Sequence, residues 1–310
     1  MAEAVANPHP LTEAERAALE DDGFVIIRRV VPDAALDDVR SAFAGAVDRL
    51  ARQWHEEGLL ADLHEELPFE SRYAAIRADL PARFAVSWRR ILVSEAVHGL
   101  WQVPEILGRA RSVVGDEVFA HDIWNGRPRE PHTAIQKIGW HQDAHYYRKW
   151  DPADGVLLSM WLPLVPVDEE SGCLQFIPGS HKRGWVPFRQ NPLNNLLELP
   201  PEAVGDVPPV SAVTEPGDLV LFTDTTVHQA LDNRRNGYVR WSIDIRYGQP
   251  TPPIVAKSRM GYHCFSASDP GRVEPYEVWA ERYRFSDDAD AKLDELAGQL
   301  GVSRSEVRVF

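Results

Sequence analysis

The sequence predicts an α+β fold in which a β-sandwich or jelly roll carries helices packed on one face. Two observations predict it. Helical periodicity dominates the first third, and from Phe119 the texture changes to short strands separated by Gly- and Pro-containing turns. A third, the lack of any internal repeat or composition break, makes residues 1–310 one domain. Its parts are a helical segment over about 1–118, a jelly-roll core over about 119–250 and an extension over 251–310.

The elements follow in order. Leu11 to Glu20 reads as a short acidic helix that Gly23 ends, and Phe24 to Val31 as a β-branched strand. Pro32 suits the opening of a helix running to about Trp54, with Leu36, Val39, Phe43, Val47 and Leu50 at helical spacing. The pattern from Trp54 to Val114 is mostly helical. Strands are predicted at 156–165, 173–178, 219–222, 226–230 and 239–247. Turns fall between them at Ser171-Gly172, Pro178-Gly179-Ser180 and Pro216-Gly217-Asp218. The Pro-, Asn- and Leu-rich stretch 187–209 reads as a long inserted loop of the kind that covers active sites.

Composition narrows the function. Hydrophobic residues make up 44% and charged residues 26%, as in an ordinary globular enzyme. With 33 basic and 47 acidic side chains the formal charge is −14, which disfavours nucleic acid and anionic membrane surfaces as partners and leaves a small molecule. Two cysteines, Cys173 and Cys264, form neither a disulfide framework nor a thiolate metal motif. No apolar run has membrane-spanning length, and the first ten residues lack the features of a signal peptide, so a cytoplasmic location is expected.

The chemistry centres on Gly139-Trp140-His141-Gln142-Asp143. On a strand, residues i and i+2 share a face, so His141 and Asp143 could reach one metal ion. Two imidazoles and one carboxylate leave open positions on an octahedral ion, which suits non-haem Fe(II). The second imidazole should come from a distant strand, and His228 is the best candidate. An isolated HxD is common by chance among 11 histidines. The pattern gains weight from the ordered features downstream of it: the 172–181 segment, the Pro216-Gly217-Asp218 turn, His228, then Arg240 and Ser242. Arg240 could grip a carboxylate bidentately, with Ser242 two residues on and on the same face. Asp244 and Arg246 share that face too. A plain polar strand face, with Arg246 or no residue at work, is the alternative.

Taken together, WHQDAHYY (140–147), SGCLQFIPGSHKRG (171–184), EPGDLVLFTDTTVHQA (215–230) and VRWSIDIRY (239–247) resemble the phytanoyl-CoA dioxygenase family. GFVIIRRVVP (23–32) is similar to that family's usual opening, so the resemblance runs from about Gly23 to Tyr247. It implies a double-stranded β-helix and an enzyme using Fe(II), 2-oxoglutarate and O2, with iron on His141, Asp143 and His228 and the cosubstrate on Arg240 and Ser242. It also implies hydroxylation of a small organic metabolite with release of succinate and CO2. Related halogenases carry a small residue where this chain has Asp143, so oxygen transfer is favoured over halide transfer. Two alternatives stay open: a jelly-roll metalloenzyme that does not use 2-oxoglutarate, and a non-catalytic binding member of the family.

Other residues enter as secondary candidates. Gln136 is a second cosubstrate contact, although Lys137 has the parity of His141 and Gln136 does not. Tyr146, Trp150 and Trp161 are candidates for lining the substrate pocket. His145 falls to the substrate side or to no role, and His181 to a structural one. The aromatic run Tyr276, Trp279 and Tyr283 is expected either to close over the pocket or to meet a second subunit. Asp287 to Leu300 reads as an amphipathic surface helix.

Overall fold

Thr12 starts the first helix, α1 (Glu13–Asp22), through a reciprocal cap: its hydroxyl accepts from the Glu15 backbone N–H, and the Glu15 carboxylate accepts from the Thr12 N–H. Gly23 ends it at φ 85°. A Cβ there would lie 2.4 Å from the His181 ring and 2.6 Å from the Thr226 hydroxyl, so glycine is needed for space as well as for conformation. The computed structural model describes residues 6–80, 86–133, 138–147, 155–191, 196–258 and 260–284. Gln136, Lys137, Trp150 and the segment from Asp287 to Leu300 lie outside them.

Strand β1 (Phe24–Ile27) is shorter than expected; the chain turns at Arg29, φ 49°, and the Val30 and Val31 N–H groups bond to the Gly217 carbonyl instead. Helix α2 (Asp33–Glu56) buries Leu36, Val39, Phe43, Val47, Leu50 and Trp54, the stripe its periodicity predicts. After it come α3 (Phe69–Asp79), α4 (Trp88–Ile91), α5 (Glu95–Leu100) and α6 (Pro104–Val114).

Two antiparallel sheets form the rest. The larger runs β1–β10 (Leu219–Thr223)–β5 (Leu157–Pro163)–β12 (Arg240–Gly248)–β2 (Glu117–Ala120)–β13 (Tyr262–Ser266), with β3 (Asn125–Arg129) also paired to β12. The smaller runs β4 (Ile138–His141)–β11 (His228–Ala230)–β6 (Leu174–Phe176)–β9 (Val210–Ala212). This is the double-stranded β-helix, an α+β jelly roll. Helices cover the larger sheet: α6 packs on β2, β5 and β12, α1 on β1 and β10, and α4 on β3.

Strand β12 explains how that sheet serves two cores. Its period-two pattern sends Trp241, Ile243, Ile245 and Tyr247 to one face and Arg240, Ser242, Asp244 and Arg246 to the other, and all of them are buried. On the helical side Trp241 packs among Phe43, Phe69, Tyr73 and Trp88. The polar face looks into the jelly roll.

Two expectations change here. The 187–209 stretch is not one irregular loop: β7 (Arg189–Gln190) and β8 (Leu197–Glu198) pair as a hairpin, followed by the short helix α8 (Pro201–Val204). Beyond β12 and the short helix α9 (Pro252–Lys257), helix α10 (Tyr276–Arg284) turns two of its three aromatic rings, Trp279 and Tyr283, into the core, while Tyr276 stays half-buried. Trp279 is buried against Trp101, Trp124, Tyr262 and His98, and the Tyr283 hydroxyl accepts from Trp124 Nε1. The reason is that Trp279 packs against His98 of α5 and Tyr262 of β13.

Candidate metal centre and anion pocket

His141 ends β4 and His228 begins β11, and antiparallel register sets the two directly opposite each other. Asp143 is not on the strand, contrary to the i, i+2 expectation. Beyond His141 the chain leaves the ladder, and Asp143 lies in the turn leading into the single-turn helix α7 (Ala144–Tyr147). The turn carries its carboxylate to the same place by another route. One ligand atom from each of His141, Asp143 and His228 lies within 4.8 Å of the others, the one such metal-type cluster among the described residues.

Local bonds set which atoms face the gap. His141 Nδ1 is 2.9 Å from the Gly139 carbonyl, and His228 Nδ1 is 2.9 Å from that of Thr226. A carbonyl only accepts, so each Nδ1 carries the proton and each Nε2 keeps its lone pair. Those Nε2 atoms stand 3.8 and 3.9 Å from Asp143 Oδ1, too far for hydrogen bonds and suited to atoms arranged around a common ion. Burial, with repulsion from His228, lowers the His141 pKa to about 3, and burial lowers that of His228 as well. Burial alone would raise the Asp143 carboxyl, but Arg246, the two histidines and Ser159 outweigh it and leave it at about 2. Neutral imidazoles and an ionised carboxylate are the forms that bind a divalent cation. Phe176 stacks on the His228 ring and Phe222 packs against it at a tilt, the two phenyl rings also touching each other.

The same cavity contains a second charged feature. It is lined by Arg127, Ile138, Trp161, Leu174, Phe222, Ala230, Arg240 and Asp244 along with the triad and Arg246. Arg240 is 1% exposed, its Nη1 donates to the Ser242 hydroxyl at 2.5 Å, and its guanidinium lies 5.5 Å from the centre of the Trp161 ring. Its Nε has no hydrogen-bond partner, and no ion pair forms at Arg240 among the described residues. Burial first, then repulsion from Arg129 and Arg127, lowers its pKa to about 9. A buried guanidinium without a counter-charge is costly. It is a fitting seat for a carboxylate, with the Ser242 hydroxyl proton free to be donated as well.

Arg246 is engaged elsewhere. It binds Asp143, Asp244 and the Ile123 carbonyl, so the polar face of β12 is divided between an open cation, Arg240, and a paired one. Sequence inspection places Asp244 and Arg246 on this face but misses their link to Asp143; the polar alternation from 240 to 246 is the available signal. The part played by Ser159, the direct cross-strand partner of Arg246, is also missed.

The remaining candidates divide. Trp161 lines the cavity. The Tyr146 ring lies 6.1 Å from that of His141, and its hydroxyl accepts from the Leu197 N–H, which joins it to the hairpin. His145 is an anchor, with Nε2 2.8 Å from the Val186 carbonyl. Gln142, between the two metal-type residues, is an anchor too. Its amide donates to the Gly184 and Thr225 carbonyls and accepts from the Val186 N–H. His181 Nε2 bonds the Glu20 carbonyl at the end of α1.

A family model described as phytanoyl-CoA dioxygenase matches residues 19–240. The peroxisomal phytanoyl-CoA dioxygenase of Homo sapiens is 23% identical over 233 residues, 74% of this chain and 66% of that one, so the match spans just under two thirds of that relative's length. The ectoine dioxygenase of Streptomyces avermitilis is 26% identical over 179 residues, 56% of this chain and 53% of that protein. Among solved structures, EctD from S. alaskensis with 2-oxoglutarate and 5-hydroxyectoine superposes with a TM-score of 0.53 at 17% identity, covering 88% of this chain and 90% of that one. At that identity the likeness concerns the fold.

Proposed function

The chain belongs to the phytanoyl-CoA dioxygenase family, and we propose that it is an Fe(II)/2-oxoglutarate-dependent dioxygenase that hydroxylates a small organic metabolite. His141, Asp143 and His228 would hold the iron, and Arg240 with Ser242 the distal carboxylate of 2-oxoglutarate. Bound iron supplies the oxidative step, in which O2 and 2-oxoglutarate become succinate and CO2 and the second oxygen atom enters a substrate C–H bond. The protein's own part is to bind, orient and exclude water. Ile138, Trp161, Leu174 and Phe222 form an apolar wall around the charged groups. Tyr146, beside His141, is proposed as a substrate-facing residue at the pocket mouth.

One observation carries the choice of cosubstrate: Arg240 is buried in the cavity that holds the triad, with no ion-pair partner among the described residues. A metalloenzyme that does not use 2-oxoglutarate has no need of such a cation. The family relatives include enzymes named for an acyl-CoA and for ectoine. The acidic balance of this chain, with no evident cluster for CoA phosphates, favours a compact substrate such as a natural-product intermediate. No helix among the described residues is long and apolar enough to cross a membrane. The free thiols of Cys173 and Cys264, both buried, suit a reducing compartment, and the cytoplasm is the proposed location.

The test is anaerobic titration of Fe(II) and then 2-oxoglutarate, followed by succinate release on admitting O2 with candidate substrates. A metal-to-ligand absorption band and succinate formation are expected. Iron binding without any response to 2-oxoglutarate would favour the cosubstrate-independent alternative.

A further inference from the structure

Asp143 has two carboxylate oxygens, and the protein treats them differently. Oδ1 faces the two histidine Nε2 atoms. Onto Oδ2 converge the Ser159 hydroxyl at 2.5 Å, Arg246 Nη2 at 3.0 Å and Arg246 Nε at 3.3 Å. We propose that Arg246, seconded by Ser159, is a positioning residue that confines Asp143 to a single metal-facing oxygen. The inference rests on reading the triad as a metal centre.

The reasoning is one of coordination number. A free carboxylate can chelate an ion through both oxygens, and the second would occupy a position that a chelating cosubstrate and O2 need. Asp143 sits in a turn, where no ladder restrains it, so its orientation has to come from outside. Ser159 on β5 and Arg246 on β12 are register partners, so both donors come from the rigid middle of the larger sheet. Arg246 is itself held by Asp244 and by the Ile123 carbonyl at 3.2 Å. Asp244 in turn accepts from Arg127 Nε at 2.5 Å and Asn125 Nδ2 at 3.0 Å. The acids Asp143 and Asp244 are balanced by Arg246 and Arg127, so these four groups together are neutral. Donors on Oδ2 would have to be broken before that oxygen could swing towards an ion.

Metal-stripped full-length protein reconstituted with Co(II) tests this, with Co(II) affinity, the visible Co(II) spectrum and 2-oxoglutarate affinity as readouts. Arg246→Met and Ser159→Ala should still take up Co(II). Both should show a shifted Co(II) spectrum, and 2-oxoglutarate should bind about tenfold more weakly to the first variant and about threefold more weakly to the second. Ser159→Ala changes no charge and removes one hydroxyl, so its shift isolates placement from electrostatics. Arg246→Lys, keeping one donor, should recover part of the loss. Unchanged spectra and 2-oxoglutarate affinities in Arg246→Met and Ser159→Ala would overturn the proposal. So would a Ser159→Ala variant indistinguishable from wild type alongside an Arg246→Met that fails to fold. If the wild-type protein takes up no Co(II), the metal-centre reading itself fails instead.

Discussion

His141 and His228 face each other across two antiparallel strands, with ring centroids 4.2 Å apart. Strand pairing sets that distance, and the carbonyls of Gly139 and Thr226 turn both rings so that Nε2 points to the same gap. Replacing either ring by alanine removes a donor without disturbing the other's anchor. His141→Ala and His228→Ala are each expected to weaken Fe(II) binding by at least about a hundredfold. Metal content after gel filtration and anaerobic titration measure this, with circular dichroism to verify the fold. Stoichiometric iron in both variants would refute the assignment.

Arg240 gives a sharper test of the cosubstrate. Truncating one partner of a buried charge pair costs about 2–5 kcal/mol, so Arg240→Ala should raise the KM for 2-oxoglutarate by roughly 30-fold to several thousandfold while Fe(II) affinity changes little. Arg240→Lys should recover only part of this, because an ammonium cannot reproduce the two-pronged grip. An unaltered 2-oxoglutarate requirement in the alanine variant would count against the proposed role.

Gln142 separates the metal motif's structural work from its ligation. Its buried amide bridges Gly184, Val186 and Thr225, so Gln142→Ala leaves these backbone groups without their partner. A loss of about 2–4 kcal/mol in stability is expected at these contacts, read by urea denaturation. Hydrogen exchange should quicken at Gly184 to Val186, just before the inserted stretch. Protection there equal to wild type would show that the clamp is dispensable.

Trp279 supplies the control far from the chemistry. It is 1% exposed and packs on Trp101, Trp124 and Tyr262, so Trp279→Ala should cost about 3–5 kcal/mol and lower Tm. The folded fraction should keep wild-type Fe(II) and 2-oxoglutarate affinities. A selective change in either affinity, with stability intact, would mean that α10 reaches the site.

Much of the molecule is legible in the sequence, for reasons that differ by residue. His141, Asp143, His228 and Arg240 can be named because their order along the chain, with the turns between them, resembles a known family. The stripe on α2 and the two faces of β12 can be read because their periods match helix and strand geometry. The strand placement of Asp143 fails: a two-residue spacing implies a common face only while the ladder continues, and β4 stops at His141. The inserted stretch looks irregular because strands as short as β7 and β8 carry no detectable period.

By itself the sequence determined the fold class and named the candidate donor set and a proposed cation for a carboxylate, since these depend on residue type and order. Tertiary structure decided what residue type cannot express. It set which oxygen of Asp143 faces the histidines, and it bound Arg246 to that aspartate while leaving Arg240 open, although both arginines lie on the same face of one strand. It also tied His145 and Gln142 to the segment just before the inserted stretch and packed Trp279 and Tyr283 of α10 into the core. The physical reason is that these outcomes depend on cross-strand register and on which charges are buried together. Both arise only when segments far apart in the chain come into contact.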